Sequence, residues 1–273
     1  MKTLFALAHP DDEIACLQSV RNRLGENPAG TTVLWVSNGD TITGRPVTQD
    51  LEDAVATLKD WGLQDSQAIR LGVSEKENYR ALSEGNGEHF YRISRQLLGV
   101  LLRVRQDEVL VPGLQGGNIM HDLLNFLMSY TMRECRSRGC EAALLEFPCY
   151  EFMEGYPHFR FGRFGSYDAA VPEGGRGIKL TDNDLRKKKG YLRHYTADAD
   201  LFRMIEEETP RHIWNEEHLR PVPPERDYTI LPSDPLVYEV HLKAVQARGR
   251  LITHPVGFAH FSRMVSMLQR RER

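Results

Sequence analysis

One histidine and three acids stand close together near the start of the chain: His9, Asp11, Asp12 and Glu13. They follow an apolar run at residues 3–7 that is typical of a buried strand. Residues that follow a strand of an open α/β sheet lie at its carboxyl edge, where such sheets bind their ligands. An imidazole beside several carboxylates can bind a metal ion or transfer protons, so this loop is predicted to be a reactive site.

A metal site needs a ligand from a distant part of the chain, and His121 is the best candidate. It follows a predicted strand at residues 108–112 and a glycine-rich turn at residues 113–117. In a parallel sheet the carboxyl ends of this strand and of the first can face one crevice. Two imidazoles and one carboxylate, from His9, Asp12 and His121, would leave an open fourth position on tetrahedral zinc, as in catalytic sites.

The other two acids of the loop are predicted to have different roles. Zinc lowers the pKa of a water from about 15.7 towards about 7, which makes it a usable nucleophile. Asp11 neighbours a ligand but need not contact the metal, so it could take the proton of this water and pass it to a leaving amine. Glu13 begins the next helix, where a carboxylate is favoured, and is predicted to orient the loop.

Each assignment has a simpler alternative. Asp11 and Asp12 could belong to an ordinary helix N-terminus, with Asp12 as its cap. His121 taken alone is more typical of a helix start than of a metal ligand. The aromatic and basic segment 156–163 could stack on a sugar or grip an acidic one, or could be a packed surface loop. His254 and Pro255 repeat part of the first motif without its acids, which favours a turn.

Apolar strands alternate with amphipathic helices along the chain, which implies right-handed βαβ units. Strands are predicted at residues 4–8, 31–37, 68–73, 108–112 and 142–147, helices at 14–24, 50–61, 89–104, 121–137, 182–195 and 198–207, and polar loops at 41–47, 74–87 and 154–177, the last with a hairpin as an alternative. The predicted fold class is α/β, with a Rossmann-like, mostly parallel sheet flanked by helices and a less regular C-terminal extension. We expect residues 1–200 to form this domain and residues 201–273 to pack on it.

Composition and charge exclude several classes of partner. The 273 residues have a formal net charge of −3, and basic residues are scattered except at residues 186–189. This run is predicted to be a solvated helix face, so nucleic acid is not an expected partner. No glycine-rich Gly-x-Gly-x-x-Gly motif follows the first strand, which argues against a dinucleotide site. No stretch approaches the roughly 18 apolar residues that cross a membrane.

The cysteines and the N-terminus favour a cytoplasmic protein. Cys16, Cys135, Cys140 and Cys149 have no Cys-x-x-Cys spacing. Cys16 and Cys149 are predicted to be core residues, and Cys135 and Cys140 are not expected to form a disulfide. The short apolar segment at the N-terminus runs into charge at Asp11, which is not the pattern of a signal peptide.

Three segments resemble those of a known family. Residues 8–13 read A-H-P-D-D-E and, together with the later glycine-rich turn and histidine, resemble the zinc-dependent de-N-acetylases of the PIG-L/LmbE-like family. Residues 185–195 are similar to the family's carboxy-proximal K-x-x-L-x-x-Y helix, so the resemblance covers roughly residues 1–200. The family hydrolyses an acetamide, commonly on an N-acetylglucosamine unit, and releases acetate and a free amine.

The resemblance implies a role for each motif residue. His9, Asp12 and His121 would bind Zn2+, and Asp11 would be the general base. The implied partner is a small-molecule amino-sugar conjugate, and self-association into a homo-oligomer is left open.

The second motif departs from the family's G-H-P-D-H pattern. Residues 117–121 read G-N-I-M-H, so Asn118 replaces a histidine that helps relatives to stabilise the oxyanion or protonate the leaving group, and Met120 replaces an aspartate. Asn118 can donate a hydrogen bond to an oxyanion but cannot transfer a proton. The acid role would pass to Asp11 or to a histidine such as His158. Two alternatives stay open: an amidase for another acylated amine, and a non-catalytic zinc- or sugar-binding descendant.

Overall fold

The computed structural model describes residues 1–38, 40, 48–153, 156–161, 175–195, 203, 215–232, 236–247, 249 and 255–271. Its strands are β1 (Thr3–Leu7), β2 (Thr31–Ser37), β3 (Ala68–Val73), β4 (Glu108–Pro112), β5 (Ala143–Phe147), β6 (Tyr150–Met153), β7 (Tyr156–Phe161), β8 (Arg176–Lys179) and β9 (Glu216–Pro221). Its α-helices are α1 (Leu17–Glu26), α2 (Thr48–Lys59), α3 (Glu75–Glu84), α4 (Gly87–Val104), α5 (Ile119–Ser137), α6 (Asp182–Leu192), α7 (Val237–Ala247) and α8 (Phe258–Arg271). A short 3-10 helix at Asp12–Cys16 precedes α1.

The main sheet has seven strands in the order β3-β2-β1-β4-β5-β9-β8. β1 to β5 pair in parallel, whereas β9 runs antiparallel to both β5 and β8. The predicted α/β fold with a mostly parallel sheet is therefore confirmed. β6 and β7 pair separately as an antiparallel ladder, which agrees with the hairpin alternative for this region.

Apolar clusters cover both faces of the sheet. Along β1, Leu4 and Ala6 belong to one cluster, and Phe5 and Leu7 belong to the other. The first cluster includes residues of α4, α5 and α8, and the second includes residues of α1, α2 and α6. A parallel sheet that is covered on both faces has strands that are apolar throughout, which explains why β1, β2 and β4 are recognisable in the sequence.

The segment 74–87 was predicted to be a loop, and this prediction is wrong. It contains α3, whose N-cap Ser74 accepts a hydrogen bond from the Glu77 amide at 3.2 Å. Gly85, with φ of 69°, ends the helix in the left-handed conformation that glycine adopts without a steric penalty. The helix was missed because its sequence, EKENYRALSE, carries few apolar residues and no continuous apolar stripe.

The run at residues 186–189 is only partly the solvated face that was predicted. Arg186 and Lys187 are exposed, but Lys188 is buried and its Nζ lies 2.7 Å from Glu217 Oε1 on β9. A buried ammonium is stable only with such a partner. The burial of Lys188 could not be predicted locally, because its partner Glu217 lies far away in the sequence.

Several other predictions have mixed outcomes. Cys16 and Cys149 are buried, and all four cysteines are free thiols, as expected. No helix among the described residues combines the length and the apolar character that a membrane span requires. The predicted helix at 198–207 and the loop at 41–47 lie outside the described residues, apart from Arg203, as do most of segment 154–177 and His254. The division of the chain at residue 200 stays a prediction.

Candidate metal centre

The loops that follow β1 and β4 meet at one edge of the sheet. The two strands are parallel neighbours, with Leu4 opposite Val109. Their carboxyl ends therefore lie side by side, and the chain continues from them into the 3-10 helix Asp12–Cys16 and into α5. This arrangement brings the first motif to the start of α5, as predicted for neighbouring parallel strands.

His9, Asp12 and His121 form a compact cluster at this edge. Each offers one ligand-type atom, and these atoms all lie within 4.8 Å of one another. His121 Nε2 lies 2.8 Å from Asp12 Oδ1 and 3.3 Å from His9 Nδ1, and His9 Nδ1 lies 3.7 Å from Asp12 Oδ1. The structure thus brings together the three residues that were predicted to bind the metal, although their role as ligands stays a prediction.

The backbone fixes the orientation of the Asp12 carboxylate. Its Oδ2 accepts hydrogen bonds from the amides of Ala8 at 2.7 Å and of His9 at 2.9 Å. Its Oδ1 is buried, lies 2.8 Å from His121 Nε2 and forms no hydrogen bond of normal geometry in the described part of the chain. Because buried polar atoms are normally satisfied, this oxygen is suited to bind a cation.

The charges in the cluster are strongly coupled. Burial by itself would raise the pKa of Asp12, but the nearby His121 and His9 hold it well below its usual range. Burial opposes a positive charge on His9, yet Glu75 and Asp12 raise its pKa well above 6.5. A buried anion between two imidazoles is the electrostatic environment that attracts a divalent cation.

The residues present fit a zinc ion. Zinc binds imidazole nitrogen and carboxylate oxygen, and three protein ligands leave one position for water or substrate. His9, Asp12 and His121 supply two nitrogens and one oxygen within the required reach. Catalytic zinc sites usually have three protein ligands, as this cluster could provide, whereas structural zinc sites usually have four.

Asp11 lies beside the cluster in an unusual backbone conformation. Its φ is 120°, which L-amino acids rarely adopt. Its amide donates to Glu13 Oε2 at 3.2 Å, and its carbonyl accepts from the Ile14 amide at 2.9 Å. Asp11 is half-buried, so its side chain is not enclosed in the core.

Glu13 connects the loop to the rest of the domain. Its carboxylate is fully buried and accepts hydrogen bonds from the Asp11 amide, from Trp35 Nε1 at 3.4 Å and from the Tyr195 hydroxyl. Burial raises the pKa of Glu13 to about 7. Tyr195 is the tyrosine of the K-x-x-L-x-x-Y segment, so this segment contacts the loop of residues 8–13 directly.

Asn118 has a structural role that the sequence analysis did not assign. It is the N-cap of α5, and its Oδ1 accepts a hydrogen bond from the Met120 amide at 2.8 Å. The cap uses the amide oxygen and leaves the N–H groups as the donors of the side chain. Asparagine directly before an amphipathic helix is a recognised capping signal, so this role was readable in the sequence.

Glu75, the first residue of α3, is a further residue near the cluster that was not predicted from the sequence. Glu75 is buried, and its Oε1 lies 3.4 Å from His9 Nε2. No motif marks this residue, because its segment was predicted to be a loop. His158 lies on β7, and its side chain is outside the described atoms.

Comparison with known proteins supports the fold. The chain matches no family model and no curated protein sequence. Among solved structures it resembles a conserved protein from Thermus thermophilus, with a TM-score of 0.55 and 15% identity over 83% of this chain and 97% of that chain. It also resembles a deacetylase of the teicoplanin biosynthesis pathway, with a TM-score of 0.54 and 12% identity over 81% and 97% of the two chains.

A third solved structure is the A40926 pseudoaglycone deacetylase, with a TM-score of 0.52 and 15% identity over 83% of this chain and 98% of that chain.

The fold and the site together define an α/β protein with a candidate metal centre at the carboxyl edge of its sheet. This chain has the fold of these three proteins, two of which are deacetylases. These solved structures support the fold that the sequence resemblance implies.

Proposed function

We propose that this protein is a zinc-dependent hydrolase that removes the N-acetyl group from an N-acetylglucosamine-type amino-sugar conjugate. The observation that carries the proposal is the cluster of His9, Asp12 and His121, with Asp11 next to it in the same loop. The shared fold with two deacetylases supports an amide hydrolase, and the sequence resemblance supports the amino-sugar substrate.

The chain's own groups would perform the proton transfers and hold the substrate. When bound, the zinc ion would supply Lewis-acid chemistry, polarising the acyl carbonyl and acidifying water. Asp11 takes a proton from a water molecule while the oxygen of that water attacks the carbonyl carbon. The N–H groups of Asn118 donate to the oxyanion of the tetrahedral intermediate. Asp11 then returns the proton to the amine nitrogen as the C–N bond breaks, which gives a free amine and acetic acid, and the acid ionises to acetate in water.

One second candidate is favoured by a specific observation. Met120 is buried, with its sulfur 3.6 Å from Asn78 Nδ2, and it stands where the family has an aspartate. Asn118 likewise replaces a group that can transfer protons. A zinc- or sugar-binding protein without turnover therefore remains the alternative that the experiment must exclude.

Metal content and acetate release test the proposal. Purified protein is analysed for zinc and assayed with N-acetylglucosaminyl compounds and with other acylated amines. We expect Asp11→Ala to keep zinc and lose about 10²- to 10⁴-fold in rate, the contribution of a general base. We expect His121→Ala to lose both zinc and acetate release. Asp60 is exposed, so Asp60→Ala should change neither the zinc content nor the rate.

The possible results separate the hypotheses. Wild-type protein without zinc, or an undiminished rate in Asp11→Ala, contradicts the hydrolase. Zinc without release from any acylated amine favours the binding protein. Release only from amines that are not amino sugars favours the broader amidase that the sequence analysis left open.

A further inference from the structure

Glu75 lies on the side of His9 that faces away from the other two candidate ligands. His9 Nδ1 is the nitrogen near Asp12 and His121, whereas His9 Nε2 lies 3.4 Å from Glu75 Oε1. Nε2 is buried and forms no hydrogen bond of normal geometry within the described ranges, so the Glu75 carboxylate, at ion-pair distance, is the group placed to accept its proton. Glu75 itself is only 6% exposed and is not part of the ligand cluster.

The two nitrogens of a neutral imidazole cannot both present a lone pair. If His9 is to bind a metal through Nδ1, its proton must sit on Nε2. A carboxylate next to Nε2 accepts that hydrogen bond, fixes the tautomer and holds the plane of the ring. We propose that Glu75 is a positioning residue that orients His9 for metal binding through Nδ1. This inference rests on the proposed function because it requires a metal at the cluster.

Asp40 fixes the position of Glu75 by accepting hydrogen bonds from the first residue of α3 and its N-cap. The Glu75 amide donates to Asp40 Oδ1 at 2.7 Å, and the Ser74 hydroxyl donates to Asp40 Oδ2 at 2.6 Å. The amide of Asn38, which directly follows β2, donates to the carbonyl of Val73 at 2.9 Å. These contacts tie the start of α3 to the end of β2. Glu75 is therefore placed by the sheet rather than by a free loop, as an orienting residue requires.

The same helix provides a matched control. Glu77 lies two residues further along α3, has the same charge and helix environment, and is exposed. Removing either carboxylate changes the charge near the helix N-terminus equally. Of these two glutamates, only Glu75 contacts His9, so only the removal of Glu75 should change zinc binding at the candidate site.

Zinc affinity, measured by competition with a chromophoric chelator, tests the role of Glu75 without any assay of turnover. We expect Glu75→Ala to weaken zinc binding about 10- to 100-fold, the usual effect of removing a partner of a ligating histidine. We expect a smaller loss in Glu75→Gln, because an amide oxygen still accepts from Nε2. Glu77→Ala and Glu77→Gln should bind zinc as wild type does.

The outcomes separate this inference from the function on which it rests. Wild-type protein that binds no zinc overturns the metal site and the inference together. Tight binding by wild type with unchanged affinity in both Glu75 variants overturns the inference alone. The melting temperature of the metal-free proteins is measured in parallel. If the two Glu75 variants lose affinity only in proportion to a loss of folded protein, the role is merely structural and the inference fails.

Discussion

Asp11 combines a strained backbone with the role predicted for a general base. A non-glycine residue with φ of 120° costs on the order of 1–3 kcal/mol. Hydrogen bonds on both sides of the residue, to Glu13 and Ile14, maintain this conformation. Glycine would remove the strain, so an aspartate at this position has a cost in stability, as is common at functional sites.

Two substitutions at Asp11 separate strain from chemistry. We expect Asp11→Gly to have a free energy of unfolding about 1 kcal/mol higher than Asp11→Ala, because glycine adopts positive φ freely. Both variants should lose acetate release equally, because both lack the carboxylate. Urea unfolding and the release assay measure the two effects. Equal stability of the two variants would show that position 11 is not strained in solution.

Asn118 permits a similar separation between capping and catalysis. Asn118→Asp should keep the stability of the wild type, because aspartate caps helices as well as asparagine does. It should still lose about 10²- to 10³-fold in kcat if the amide N–H groups donate to the oxyanion. Asn118→Ala should lose the cap as well, at about 1 kcal/mol in the free energy of unfolding. An Asn118→Asp variant with unchanged kcat would limit Asn118 to its capping role.

The positions that could be predicted from the sequence are those of residues that follow the ends of recognisable strands. His9, Asp12 and His121 were predicted to meet because β1 and β4 are mostly apolar and parallel strands end at one edge. Glu75 was not predicted, because its contact with His9 depends on α3 and on a polar segment without a periodic pattern. A sequence pattern shows burial more clearly than it shows a polar contact between distant segments.

At the level of elements, β9 positions the helix that follows the loop of the candidate ligands His9 and Asp12. Glu217 on β9 is 2% exposed and accepts from the amides of Gln18 and Ser19, both at 2.9 Å. These amides belong to the first turn of α1 and have no partner within the helix. Glu217 also pairs with Lys188 of α6. The antiparallel strand thus caps a helix from another part of the chain, which no local sequence signal predicts.

Removing Glu217 should destabilise the protein strongly. Glu217→Ala leaves the buried Lys188 ammonium without the carboxylate that balances its charge, and it removes the acceptor of the two α1 amides. We expect the free energy of unfolding to fall by about 3–5 kcal/mol, as for other broken buried pairs. Denaturant unfolding measures the change, with Glu225→Ala, at an exposed acid, as the control. A loss below about 1 kcal/mol would mean that water or another group replaces the carboxylate.

At the level of the whole molecule, Glu146 joins the parallel sheet to the C-terminal segment. It lies on β5 with no exposed surface. Its carboxylate pairs at 2.6 Å with Arg220 of β9 and with Arg226, and it accepts from Asn125 Nδ2 of α5 at 2.8 Å. Sequence analysis predicted that residues 201–273 pack on the domain but could not identify this network, because its members are spread over about a hundred residues. Because this network joins them, we expect the described parts of residues 1–200 and of residues 201–273 to unfold together.

The Glu146 network predicts how stability depends on pH. Burial opposes its charge, but Arg226 and Arg220 hold the pKa of Glu146 below the usual 4.5. The unfolded chain therefore binds this proton more readily than the folded protein, so the network stabilises fully above about pH 4.5 and loses its effect as pH falls through the lower folded pKa. We expect Glu146→Gln to lower the free energy of unfolding by about 3 kcal/mol at pH 7 and by less as pH approaches 3. Urea unfolding across this range, with the exposed Glu141→Gln as the control, measures the difference, and a deficit that is constant with pH would contradict an ionised Glu146.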